Sequence, residues 1–227
     1  MGTSAELPLL YPYLALAFTL LATVFSRRRL AARSDEFKAT LLYFAFFFLL
    51  LFALPVIVLL LTDRNSLDFL GGVGLRVGNW RLGLGLAAAA VPLALAGALV
   101  SGRDPLMRDF YPFSKAACLS PKRLALYETS YFFLYYWPWE FAFRGLLFFP
   151  LVGALGLVPA LAVQTLLSSL YHIGHPDMEI AAALAAGFLF GLIAYFTRSI
   201  LYTAAIHALF GLTIDVAFCH RYHGRKS

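Results

Sequence analysis

The chain has 227 residues, of which 61% are hydrophobic and only 13% charged, with a formal net charge of +6. Soluble domains carry roughly 25% charged and about 45–50% apolar residues. This composition therefore excludes a soluble globular domain, a disordered chain and a nucleic-acid-binding module. What remains is an all-α polytopic membrane protein, with residues 1–227 forming a single membrane domain.

The first apolar run, 8–25, is preceded by one charge, Glu6, and followed by Arg27, Arg28 and Arg29. A cleavable signal peptide has the reverse charge order, so this run is expected to be a retained helix with its N-terminus outside. Six further runs, 39–62, 83–100, 124–150, 157–174, 179–197 and 199–219, have about the length that crosses a bilayer. The expectation is about seven transmembrane helices, or eight if 63–82 or 104–117 enters the membrane. The first three runs form an N-terminal helical part, 8–100. The run 124–150 contains Pro138, which in a helix interior removes a hydrogen bond and introduces a kink. Two helical pieces are therefore expected there. Segment 63–82 mixes Leu, Phe and Trp with Asp and Arg and reads as an interfacial loop with a short amphipathic piece. Segment 104–117 reads as interfacial too.

Charge sets the orientation. With the N-terminus outside, the inside segments 26–38, 101–123 and the basic tail 220–227 hold 13 Lys and Arg. The outside segments hold Arg64, Arg76, Arg81 and Arg198. Cytoplasmic loops carry the excess of Lys and Arg, so the C-terminus is expected to be cytoplasmic. Cys118 and Cys219 both fall on that side, where a structural disulfide is not expected.

Ionisable groups inside apolar runs are costly and mark candidate functional positions. Glu140 and Arg144 lie deep in 124–150, four residues apart, and so share a helix face and can pair. His172 ends the next run, and His207 lies mid-way along the last, with Asp215 beyond it. Glu128, Asp177 and Glu179 stand near run ends. Each histidine alone fits an interhelical hydrogen bond, and the ion pair alone fits helix packing. Together, on three spans, they provide a base for water and imidazoles for an oxyanion. Two other features carry bland readings. Tyr131 to Trp139 is aromatic-rich, as at a membrane interface or a lipid-facing surface. Gly187 and Gly191 form a small-residue packing face.

The stretch Trp139-Glu140-Phe141-Ala142-Phe143-Arg144-Gly145 resembles the Glu-Glu-x-x-x-Arg-Gly motif of the CPBP family, the CAAX protease and bacteriocin-processing membrane peptidases. Ser168 to His172 and His207 to Gly211 resemble its second and third motifs, which end in histidine and read His-x-x-x-Asn. The likeness covers about 100–215, so 101–219 is expected to be a CPBP-like catalytic core. Three positions depart from the pattern. Trp139 replaces the first Glu, Gly211 replaces the Asn, and Ser168 stands where the family has Phe. A second register takes Tyr171 and His175 instead. His172 is preferred because His-Ile-Gly-His-Pro-Asp-Met-Glu resembles the His-x-Gly-Lys-Pro-x-x-Glu form of a branch that commonly reads Trp-Glu-Phe-Phe-Phe-Arg-Gly.

The resemblance implies an intramembrane endopeptidase of the cell (inner) membrane, acting on a peptide or protein substrate at the lipid. Glu140, oriented by Arg144, activates water, and His172 and His207 hold the water or the oxyanion. No cofactor is implied; zinc on Glu140, His172 and His207 is the alternative. Because Glu140 holds the second position of the motif, about 100° around a helix from the first, it needs a local backbone adjustment. For His172 to meet it, the piece before Pro138 is expected to lie flat or re-entrant. A non-catalytic scaffold or bacteriocin-immunity protein of the same fold is the alternative class, and a small transporter relaying protons through Glu140 is a third.

Overall fold

The structure, a computed structural model, describes residues 7–224, with side chains from residue 9 to residue 221. Glu6, Arg225 and Lys226, used above to argue orientation, lie outside the described residues. The described residues are all-helical, and among them five helices are long and apolar enough to cross a membrane: Leu9–Ala31, Glu36–Thr62, Trp80–Ser101, Asp177–Thr197 and Leu201–Arg221.

In chain order, α1 (Leu7–Ala22) and the short α2 (Arg27–Ala31) lead to α3 (Glu36–Thr62). Asp35 caps α3 by accepting from the Lys38 amide at 2.9 Å, satisfying one of the amide donors left free at a helix start. The 63–82 segment forms α4 (Ser66–Gly72) and a loop, with Leu67 exposed, as the amphipathic reading expects. Then come α5 (Trp80–Ser101), α6 (Pro105–Phe110), a 3₁₀ turn (Lys115–Leu119), and α7, which runs without interruption over 121–155. The last three are α8 (Leu157–Leu170), α9 (Asp177–Thr197) and α10 (Leu201–Gly224).

The loops sort to two ends as the alternation of spans requires. At one end Asn79 N–H donates to the Thr197 carbonyl at 2.7 Å and Ile200 N–H to the Gly74 carbonyl at 3.0 Å. At the other, Arg221 donates to the Gly102 carbonyl at 2.7 Å and Arg27 to the Phe113 carbonyl. Cys118 and Cys219 also meet at this second end and form a disulfide, with Cα atoms 4.8 Å apart. This corrects the expectation of two free thiols. Compartment was the only signal for these cysteines, and nothing in their 101-residue separation showed that the 3₁₀ turn packs against the end of α10.

The aromatic run Tyr131 to Trp139 divides between core and surface, with Phe133 exposed as the lipid-facing reading expects. Tyr131, Tyr135, Tyr136 and Trp139 are all buried. α3 supplies the partners: Phe44 stacks on Tyr131 at 4.6 Å, and Phe47 lies 4.3 Å from Tyr135 and 6.3 Å from Trp139. Such rings remove large areas from lipid and add specific edge and stacking contacts. Gly187 and Gly191 act as expected. A Cβ at Gly191 would fall 2.8 Å from Gln164 Nε2, and that nitrogen donates to the Gly187 carbonyl at 2.7 Å. The glycines therefore let α8 and α9 approach closely.

The expected break at Pro138 does not occur. α7 instead turns π-helical over Phe132–Tyr136 and again over Phe141–Phe148. These wider turns accommodate the proline and shift the register of the residues after them. No flat piece is needed to bring His172 to Glu140's neighbourhood either. α8 has 14 residues, about 21 Å of rise, close to the roughly 22 Å from Glu140 to the end of α7. The antiparallel return therefore brings Tyr171 and His172 back to the level of Trp139, whose ring lies 5.4 and 5.2 Å from theirs.

Candidate active site

Glu140 is the centre of the site and is fully buried. Its Oε1 accepts from Arg144 Nη1 at 3.2 Å and from His207 Nδ1 at 2.8 Å. The first partner comes from one turn further along α7 and the second from α10, so the carboxylate ties two helices together. Arg144 is itself buried, with its guanidinium 5.4 Å above the Phe190 ring of α9; the ring face partly replaces the lost hydration of the cation. Because the carboxylate accepts, His207 donates from Nδ1. This fixes the ring and leaves Nε2 for other chemistry. Glu140 Oε2 and Arg144 Nε have no partner in the protein.

The structure brings Glu140, Arg144 and His207 into direct contact. It does not place His172 in that contact. Trp139 stands edge-on to both histidines, 5.2 Å from His172 and 6.3 Å from His207. His172 Nδ1 faces the Ser168 carbonyl at 2.8 Å, so this nitrogen carries the proton and Nε2 carries the lone pair. Asp215 lies two turns beyond His207, near Glu128 and Tyr127, apart from the Glu140 group.

Among the described residues, Glu140, His172 and His207 do not come within reach of one ion. The set of three metal-capable groups that does converge is His172, His175 and Glu179. His175 Nδ1 lies 2.8 Å from Glu179 Oε1, and the Tyr111 hydroxyl donates to the same oxygen at 2.6 Å. Burial, with Glu179 adding to it, holds the Tyr111 phenol well above its ordinary value, so it remains a donor. The two competing registers of the second motif thus both lie at one place. Glu179 was legible as a charge near a run end and as the last residue of the His-Ile-Gly-His-Pro-Asp-Met-Glu stretch, and its i, i+4 spacing from His175 was a further usable signal.

The departures from the family pattern have local causes. Trp139 fills the aromatic core and touches Phe18, Phe47, Tyr135 and Phe143. A Cβ at Gly211 would fall on the Tyr136 hydroxyl, with the ring's Cζ 2.7 Å away. The phenol of α7 therefore occupies the volume that a side chain at 211 would need, and its ring packs 4.6 Å from His207.

These features define a polytopic helical membrane protein with a carboxylate fixed between two helices and histidines around it. A comparison with protein families matches residues 125–213 to the type II CAAX prenyl endopeptidase Rce1-like family, and this match supports the resemblance to the CPBP family. The match spans Glu140, Arg144, His172, His175, Glu179 and His207. No curated protein and no solved structure matches the chain.

Proposed function

We propose that the chain is an intramembrane endopeptidase of the CPBP type, from the branch with a single Glu in its first motif, hydrolysing a peptide bond of a membrane-associated substrate. The observation that supports this best is the bonding of Glu140. One oxygen takes both Arg144 and His207, and the other has no partner. A carboxylate held in this way has a fixed orientation and a free oxygen to receive a proton. In the proposed reaction Oε2 takes a proton from water as the water oxygen attacks the scissile carbonyl carbon. His172 accepts from that water through Nε2. His207, as the imidazolium, donates from Nδ1 to Glu140 and from Nε2 to the oxyanion. Glu140 then returns the proton to the leaving amine as the C–N bond breaks.

An apolar groove of about 350 Å³ between α1, α7 and α8 is lined by Phe18, Phe143, Leu147, Leu167 and Tyr171. It ends at the residue preceding His172 and would take an apolar stretch of the substrate. Counting α7 and α8 with the five long apolar helices gives seven passes, with the N-terminus outside and the C-terminus cytoplasmic, in the cell (inner) membrane.

The test compares wild type with Glu140→Gln and His207→Ala for turnover of membrane-anchored peptides in proteoliposomes. Cleavage by wild type and its loss in both variants is the expected result. A wild type that cleaves nothing the variants spare would favour the scaffold or immunity reading of the same fold.

A further inference from the structure

We propose that His172, His175 and Glu179 form a binding site for a divalent transition-metal ion of the zinc class, separate from the Glu140 carboxylate. The inference does not rest on the peptidase reading: the two share His172, whose Nε2 would serve the ion in place of the water, and the readout here is metal content.

The site is made by one turn and the helix that follows it. Gly174 adopts φ +95°, a conformation available to glycine without strain, and the reversal there brings the His172 and His175 rings within 5.2 Å of each other. Pro176 then starts α9, and Glu179 stands in its first turn, four residues after His175 and beside it. The ligand atoms of the three residues all lie within 4.8 Å of one another.

Hydrogen bonding within the protein does not satisfy this group. The proton of His172 is committed to the Ser168 carbonyl through Nδ1. Its Nε2 therefore presents a lone pair, 3.9 Å from Glu179 Oε1. That separation is too long for a hydrogen bond, and Oε1 already accepts from Tyr111 and His175, so no donor reaches the His172 lone pair. Glu179 Oε2 is buried and unpartnered. A buried acceptor left without a donor costs free energy comparable to a lost hydrogen bond, and a cation at the centre would satisfy all of these groups.

The donor set selects the ion. Two imidazoles and one carboxylate suit zinc-type ions better than magnesium or calcium, which take oxygen ligands. Bonds of about 2.0–2.1 Å place tetrahedral ligand atoms roughly 3.4 Å apart. The observed 2.8 Å from His175 to Glu179 and 3.9 Å from His172 to Glu179 bracket that value, so small side-chain rotations close the site. The outer partners match those of known sites: a backbone carbonyl fixes one histidine, and the Tyr111 phenol holds the carboxylate. With three protein ligands the fourth position stays open. All three side chains remain partly exposed, which gives an ion and a small ligand access.

The test uses the full chain in detergent, stripped with a chelator and titrated with Zn²⁺ by calorimetry, with bound metal counted by mass spectrometry. One Zn²⁺ per chain is expected. His175→Ala and Glu179→Gln should each weaken binding at least about 100-fold, and Tyr111→Phe by about 10-fold. Glu140→Gln and His207→Ala should bind as wild type does. Co²⁺ should give the intense visible bands of a tetrahedral site, lost in His175→Gln, the variant that preserves a hydrogen bond to Glu179. Failure of wild type to bind, or unchanged binding in both ligand variants, would mean a hydrogen-bonded helix start and overturn the proposal. Loss of Zn²⁺ in Glu140→Gln but not in Glu179→Gln would overturn it by moving the ion to the Glu140 group.

Discussion

Gly211→Ala introduces one methyl group, and its effect can be worked from the packing around Tyr136. The new Cβ would fall on the Tyr136 hydroxyl, 2.7 Å from Cζ and 3.2 Å from Cε2. The ring has no room to move: it is buried, with Tyr131 at 4.2 Å and His207 at 4.6 Å. Overpacking of this kind costs about 1–3 kcal/mol, and contact with a rigid ring rather than a flexible chain end puts Gly211→Ala near the upper value. For a chain of this size about 3 kcal/mol corresponds to a loss of roughly 6–12 °C in Tm, measurable by thermal unfolding in detergent. Because the displaced ring packs on His207, turnover should fall as well. Tyr136→Ala removes the obstruction, so the double variant should be less destabilised than the sum of the singles by at least about 1 kcal/mol. An unchanged Tm in Gly211→Ala, or strict additivity in the double variant, would refute the claim that the phenol occupies this volume. Gly211→Asn should be worse than Gly211→Ala, and a stable Gly211→Asn variant with raised turnover would refute it equally.

Trp139→Glu, which writes the first Glu of the family motif into this chain, should destabilise by at least about 3 kcal/mol, because it removes a buried indole and sets a carboxylate among aromatic rings; a stable variant with higher turnover would contradict that reading. Arg144→Leu leaves the fully buried Glu140 without its cation and should cost about 3–5 kcal/mol, read as loss of monodisperse protein on size-exclusion chromatography, whereas a well-folded Arg144→Leu would show that the pair is dispensable. Denatured without reductant, the chain should expose no alkylatable thiol at Cys118 or Cys219 and two after reduction; Cys118→Ser should lower stability by about 2–4 kcal/mol. Gly191→Ala should cost about 1–3 kcal/mol by pushing on Leu161 and Gln164, and a neutral result would contradict the close approach of α8 and α9.

Long apolar runs were the most legible part of the sequence, and 39–62, 83–100 and 179–197 each lie within or almost coincide with a single helix. Polar residues in the runs 124–150 and 199–219 located Glu140, Arg144 and His207, because burial of charge has few explanations other than pairing or function. What the sequence did not show follows from contacts between distant segments. Proline predicts a kink in an isolated helix, but packing of α7 against α3 and the π-helical turns keep 121–155 continuous. The end of the 157–174 run was read too far on: apolarity continues past Leu170, while the helix stops there, so His172 lies in a turn rather than a span. Cys118 and Cys219 carried no pairing signal at all. His175 and Glu179 were visible as neighbours in sequence, but their convergence with His172 depends on the reversal at Gly174, and the contact of Glu179 with Tyr111 on a segment 68 residues earlier.

The central claim is that the free oxygen of Glu140 takes the proton of the attacking water. Its most direct measurement is kcat/KM of Glu140→Gln against wild type on one membrane-anchored peptide, with both proteins shown to be folded by Tm. General-base assistance contributes about 10²–10⁴-fold, so a loss in that range at little-changed KM is the predicted result. A folded Glu140→Gln that cleaves at the wild-type rate would contradict it.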